Sequence, residues 1–213
     1  MVTQNSAGKW AGITGITGVL IWWVVATVLG LVRPTYNAVS EPISNLAAVG
    51  ASFAVVQQLN FYIFGASIIV FTIGLIVWST RGWRLLVGGL LLLVFGAGVM
   101  VAGVFQINLN NSQAATSQYH ILASLVAFPS AILGISITSW GLNHDDRWPG
   151  YRNRFLPLGV AILTISMFVI FFATIMSPWE GLSQRMFLLV LTGWIVYHAF
   201  SLYRLSEGSN PSV

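Results

Sequence analysis

The chain has 213 residues, 56% of them hydrophobic and only 7% charged, where soluble domains carry roughly 25% charged residues. So few charges cannot cover a water-facing surface, which excludes an ordinary soluble domain and makes lipid the main solvent. The net charge of +4 is dispersed without a basic cluster, so no nucleic-acid partner is expected, and the absence of cysteine excludes disulfides and thiolate metal ligands.

Six apolar segments follow, each near the roughly 20 residues that cross a hydrocarbon core of about 30 Å. They are Trp10–Val32, Ala54–Ser79, Trp83–Phe105, Tyr119–Leu142, Phe155–Met176 and Met186–Leu205. The first, at about 23 residues, is too long for the apolar region of a signal peptide and reads as a span. Its Gly12, Gly15 and Gly18 follow no strand, so they suit helix packing rather than a phosphate loop. In the third segment Gly89, Gly96 and Gly103 recur every seven residues, a small stripe that predicts close contact with a neighbouring helix. Pro129 predicts a kink in the fourth, with Ser124 or Ser130 serving the carbonyl freed near Leu125. No linker is long enough to divide the chain, so residues 1–213 read as one all-α domain, a polytopic transmembrane bundle of six helices.

The basic residues predict orientation. With a cytoplasmic amino terminus, Lys9, Arg81, Arg84, Arg147, Arg152, Arg154 and Arg204 lie inside, and only Arg33 and Arg185 outside. That bias places both termini in the cytoplasm. Trp83, Trp140 and Trp148 then fall at the inner boundary and Trp179 at the outer, as interfacial aromatics.

On this topology the outer side gathers Tyr36-Asn-Ala-Val-Ser-Glu-Pro-Ile-Ser-Asn-Leu46, the Asn- and Gln-rich stretch Gln106–Gln118, His120, and Ser177–Arg185. Ser40 reads as a helix N-cap with Glu41 and Pro42 in the first turn, and Ser177 with Glu180 as a capping box. Ser44 and Asn45 escape capping because they lead into an apolar run, where polar groups need partners. The three histidines differ too much in depth to share one metal. His198 lies 13 residues inward from Arg185, about 20 Å, so no metal and no cofactor is expected. His198 reads as a buried hydrogen-bonding residue.

Tyr36 with Ser40-Glu-Pro-Ile-Ser44-Asn-Leu46, Gly103-Val-Phe105 followed after fourteen residues by His120, and Gly181-Leu-Ser-Gln-Arg185 together carry a resemblance. Over nearly its whole length the chain resembles the domain of unknown function 998 family of small bacterial and archaeal membrane proteins. The resemblance implies a six-helix integral protein of a prokaryotic cell membrane, without an agreed activity. That family often has a proline and an aspartate after Gly-x-Phe; here Gln106 and Asn108 stand instead, so no carboxylate role is expected in that loop. Ile43-Ser44-Asn45-Leu46 also resembles the Ser-Asn patch of alkaline-ceramidase and progestin-receptor-like membrane hydrolases. Their Ser-x-x-x-His and His-x-x-x-His zinc motifs occur nowhere in the chain, so a metal-dependent amidase is not expected.

The leading functional expectation is an outward-facing polar pocket that binds a lipid or small amphiphile through Tyr36, Glu41, Ser44, Asn45, His120, Glu180 and Arg185. One alternative is an enzyme using Glu41 and His120 as an acid/base pair on a lipid headgroup. A small-molecule transporter is the other, and charged residues deep in the spans or inverted repeats would have supported it.

Overall fold

In lipid a spanning segment must satisfy its own backbone, which long apolar runs do as helices. The computed structural model describes residues 2–79, 82–149 and 155–208. They form six helices, α1 (Val2–Val32), α2 (Ala54–Trp78), α3 (Trp83–Val104), α4 (Ala115–Leu142), α5 (Phe155–Ala173) and α6 (Glu180–Ser206). A 3-10 turn at Ile43–Ala47 lies between α1 and α2, and no strand occurs among the described residues. All six helices are long and apolar enough to cross a membrane.

Each helix packs against its neighbours in the chain, and α6 returns to α1 to close a ring. Phe64, Phe71, Phe95 and Phe187 fill its centre and are fully buried. The start of α1 and the end of α6 lie at one end, where Lys9 Nζ meets Glu207 Oε1 at 2.6 Å; this is the terminal end. The connections α1–α2, α3–α4 and α5–α6 lie at the opposite, connection end. Helix α5 is the least embedded: 11% of its apolar window is buried, against 33–56% in the other five.

Glycines set how closely the helices approach. A Cβ at Gly96 would lie 2.8 Å from the Gly65 carbonyl oxygen, one at Gly89 2.4 Å from Ile76, and one at Gly103 2.7 Å from Phe61. All three stripe glycines therefore face α2, as their spacing predicts. Gly12 and Gly15 meet Ala199 on α6, and Gly18 meets Ser67 on α2, so this run also serves packing.

Several expectations change. Helix α1 starts before Trp10, α4 starts at Ala115 and α6 starts at Glu180 rather than Met186. Polar residues lower hydropathy without ending a helix, so the helices outlast the apolar segments. Pro129 lies inside α4, and Ser124 Oγ donates to the His120 carbonyl at 3.0 Å rather than serving Leu125. Trp148 is buried rather than interfacial, because its indole N–H donates to Ser79 Oγ at 3.1 Å. Trp83, Trp140 and Trp179 are exposed, as boundary residues are. Arg81, Arg152 and Arg154 lie outside the described residues.

Candidate functional site

Connection α1–α2 does not run straight into the second span. Ser40 caps no helix: Pro42 precedes the 3-10 turn, and no side chain caps it. Ser44, Leu46 and Ala47 are buried within that turn, and Ala48 follows fully buried, so the apolar run tucks into the bundle before α2 begins. A backbone brought into an apolar environment needs its polar groups paired, and here side chains pair them.

Arg185, one turn into α6, is the main anchor. Its Nη1 is shared among the carbonyls of Ala38 (2.7 Å), Gly181 (2.8 Å) and Glu41 (3.0 Å), and its Nη2 donates to the Tyr36 hydroxyl. That hydroxyl in turn donates to the carbonyls of Glu41 and Pro42 at 3.0 and 3.1 Å. Burial pushes the Tyr36 phenol above its ordinary pKa of 10.0, and the Arg185 guanidinium opposes the shift. Gly181 lets the loop lie directly on the helix, since a Cβ there would sit 2.3 Å from the Glu41 carbonyl oxygen. Arg33 donates to the Asn45 carbonyl at 2.8 Å, and Gln106 to the Ala47 carbonyl at 3.0 Å. Asn108 holds its own turn by accepting from the N–H groups of Asn110 and Asn111.

Beneath this layer lies a cavity of about 470 Å³. Trp22, Phe61, Phe64, Phe95, Phe128 and Phe171 make most of its wall apolar. Its polar lining is Ser40, Ser44, Asn45, His120, Ser124, Glu180 and Gln184, with no lysine or arginine. Of the residues expected at the site, Ser44, Asn45, His120 and Glu180 therefore share one cavity; Tyr36, Glu41 and Arg185 do not line it. The Glu41 carboxylate accepts from the Asn37 N–H at 3.0 Å and faces Asn45 Nδ2 at 3.5 Å. Among the described residues no hydrogen bond or ion pair joins Glu41 to His120.

Glu180 has a structural duty as well, though not the predicted capping box. Helix α6 begins at Glu180 itself, and Glu180 Oε2 accepts from the Met176 N–H at 2.8 Å. Met176 has φ 63°, a left-handed backbone that costs a side-chain-bearing residue about 1–2 kcal/mol, and the carboxylate secures that turn. Ser177 Oγ instead accepts from the Trp179 N–H at 3.2 Å.

His120 is buried at 6% exposure, and its Nδ1 lies 2.8 Å from the Ala102 carbonyl and 2.9 Å from that of Phe105. Carbonyls only accept, so Nδ1 carries the proton and Nε2 of the neutral ring carries a lone pair. Gln184, a site residue absent from the sequence-based set, is 7% exposed, and its Oε1 accepts from the Ile43 N–H at 2.7 Å. Its Nε2 is thereby left as a donor. The signal for Gln184 was helical spacing: Glu180, Gln184 and Leu188 line the cavity at i, i+4 and i+8, as His120, Ser124 and Phe128 do on α4. Starting α6 at Met186 hid that alignment. Among the described residues no three His, Asp or Glu side chains are grouped to hold a metal ion. His198 is buried at the other half of α6, with Nδ1 2.8 Å from the Trp194 carbonyl.

Fold and cavity define a multi-pass helical membrane protein with a largely apolar chamber at one end of its bundle. The model of a family described as "Protein of unknown function (DUF998)" matches residues 16–201, and the chain belongs to that family. No curated protein and no solved structure matches it.

Proposed function

We propose that this protein binds a lipid or small amphiphile in the connection-end cavity, which opens toward the outside of a prokaryotic plasma membrane with both termini in the cytoplasm. The observation that carries the reading is the chamber itself, about 470 Å³ and aromatic-walled with a few polar groups at its roof. Ligand sites share that size and that mixture. The orientation draws on Lys9, Arg84, Arg147 and Arg204 at the terminal end against Arg33 and Arg185 at the other. An acid/base enzyme built on Glu41 and His120 gains no support, since only His120 reaches the cavity.

Two measurements test this. Native mass spectrometry of the protein extracted from membranes should find a co-purifying amphiphile. Ser124→Trp, which places an indole in the chamber, should remove it, and Asn45→Ala should weaken its retention. Equal occupancy in the wild type and Ser124→Trp would refute the reading. For orientation, the chain has no cysteine of its own, so single-cysteine variants at Ser112 and at Ser209, which lies outside the described residues, report sidedness. Labelling of Ser112→Cys but not Ser209→Cys from outside intact cells is expected, and the reverse would invert the topology.

A further inference from the structure

We infer that the amphiphile is uncharged and hydroxyl-headed. Its hydroxyl donates to His120 Nε2 and accepts from Gln184 Nε2, and its apolar chain leaves the cavity where α4 meets α5. This rests on the amphiphile reading above and narrows it. His120 and Gln184 are each more than nine-tenths buried, and both line the chamber. Each has one polar atom engaged by backbone, Nδ1 with the carbonyls of Ala102 and Phe105, and Oε1 with the Ile43 N–H. The other end of each, an acceptor on His120 and a donor on Gln184, has no partner among the described residues. Neither atom is fully enclosed, so each can take a partner from the chamber. A hydroxyl is the smallest neutral group on a lipid head that offers both a proton to His120 and lone pairs to Gln184, the same pairing a water molecule makes in its absence.

Other heads fit less well. A carboxylate or phosphate monoanion would meet no cation, because Arg33 and Arg185 are turned to backbone carbonyls and neither lines the chamber. It would instead meet Glu180, the charged residue on the wall. A quaternary ammonium has no proton for His120. The chain has a route out: Ile121 and Leu125 on α4, Phe172 on α5 and Ile175 in the turn just after it line the chamber and are also exposed on the bundle surface. They lie beside the least embedded helix, so an apolar tail passes from the chamber to the bilayer without crossing polar groups.

The test uses three probes that share one eighteen-carbon monounsaturated chain and differ in head: 1-monooleoylglycerol, oleate and oleyl phosphocholine, which has no hydroxyl, titrated into the full chain in one detergent. Monooleoylglycerol should bind about tenfold more tightly than the other two, roughly one well-made buried hydrogen-bonded pair. His120→Asn retains an amide N–H near the position of Nδ1 and deletes the Nε2 acceptor. It should lower monooleoylglycerol affinity about tenfold and leave that of oleyl phosphocholine unchanged. Gln184→Glu keeps Oε1 for the Ile43 N–H, replaces the donor with a carboxylate oxygen, and should give the same loss independently. Equal binding of the three heads, or an unchanged affinity in both variants, overturns the hydroxyl assignment and leaves the amphiphile reading standing. Failure of all three probes to bind, or binding that Ser124→Trp does not reduce, overturns the amphiphile reading itself.

Discussion

Replacing Arg185 by lysine tests whether the roof of the cavity is held from α6. Arginine here uses both terminal nitrogens, one shared among three carbonyls on two segments and the other on the Tyr36 hydroxyl. A lysine keeps the charge but has one nitrogen on a flexible stem, so it cannot serve the loop carbonyls and Tyr36 together. Losing two of these charge-assisted bonds, each worth about 1.5–3 kcal/mol, gives roughly 3–6 kcal/mol before relaxation. Arg185 is partly exposed, and water can replace some of the lost partners. A net loss of about 2–3 kcal/mol is the working figure, which for a chain of this size lowers the unfolding midpoint by about 4–12 °C. Intrinsic tryptophan fluorescence during thermal unfolding in detergent measures it. Arg185→Lys should also weaken ligand binding, because Ser40 and residues 42–45 line the cavity and Arg185 holds their segment to α6. A midpoint and a ligand affinity both equal to wild type would show that the loop holds its place without Arg185.

Gly96→Leu should destabilise by about 1–3 kcal/mol, since its Cβ would meet the Gly65 carbonyl oxygen at 2.8 Å and backbone cannot swing aside. An unchanged midpoint would place that face against lipid. At the terminal end, the Lys9 ammonium holds the Glu207 carboxyl below its ordinary 4.5. A depressed acid contributes above its unfolded pKa and loses that contribution as pH falls through its folded value. Wild type and Glu207→Gln should therefore differ slightly in unfolding midpoint at neutral pH and converge well below 4.5. A difference that persists in acid would assign the effect to packing.

The bundle was legible because its physics is one-dimensional: apolar length predicts a span, and a seven-residue glycine stripe predicts a packed face. Helix ends were less legible. Hydropathy marks where side chains turn polar, whereas a helix ends where its backbone finds other partners, and Gly181 to Arg185 satisfies both descriptions at once. That displacement moved Gln184 from a helix face to a loop and hid it from the site. Ser44, Asn45, His120 and Glu180 were legible as polar groups against an apolar boundary, and they do share a cavity. Glu41 and Arg185 were chosen for their charges, but composition cannot tell a charge that meets a ligand from one that serves a carbonyl. Arg185 meets carbonyls of Ala38 and Glu41 more than 140 positions away in the chain, a pairing only the fold can specify.

The concentration of polar chemistry at the connection end follows from backbone before it follows from any ligand. Residues 43–48 descend into the bundle outside a regular helix, and Gln106 and Ile107 lie over them, with the Ile107 carbonyl accepting from the Val49 N–H at 2.9 Å. Each such segment carries N–H and C=O groups that lipid cannot satisfy. Arg33, Arg185, Tyr36 and Gln106 are accounted for by that demand alone. His120 and Gln184 each pair backbone through one of their two polar atoms, and both residues line the chamber. On the proposed reading, a ligand meets the far side of residues whose near side pairs backbone. Deleting either side chain whole would confound collapse of the roof with loss of the ligand, so only substitutions that spare Nδ1 or Oε1 can separate the two.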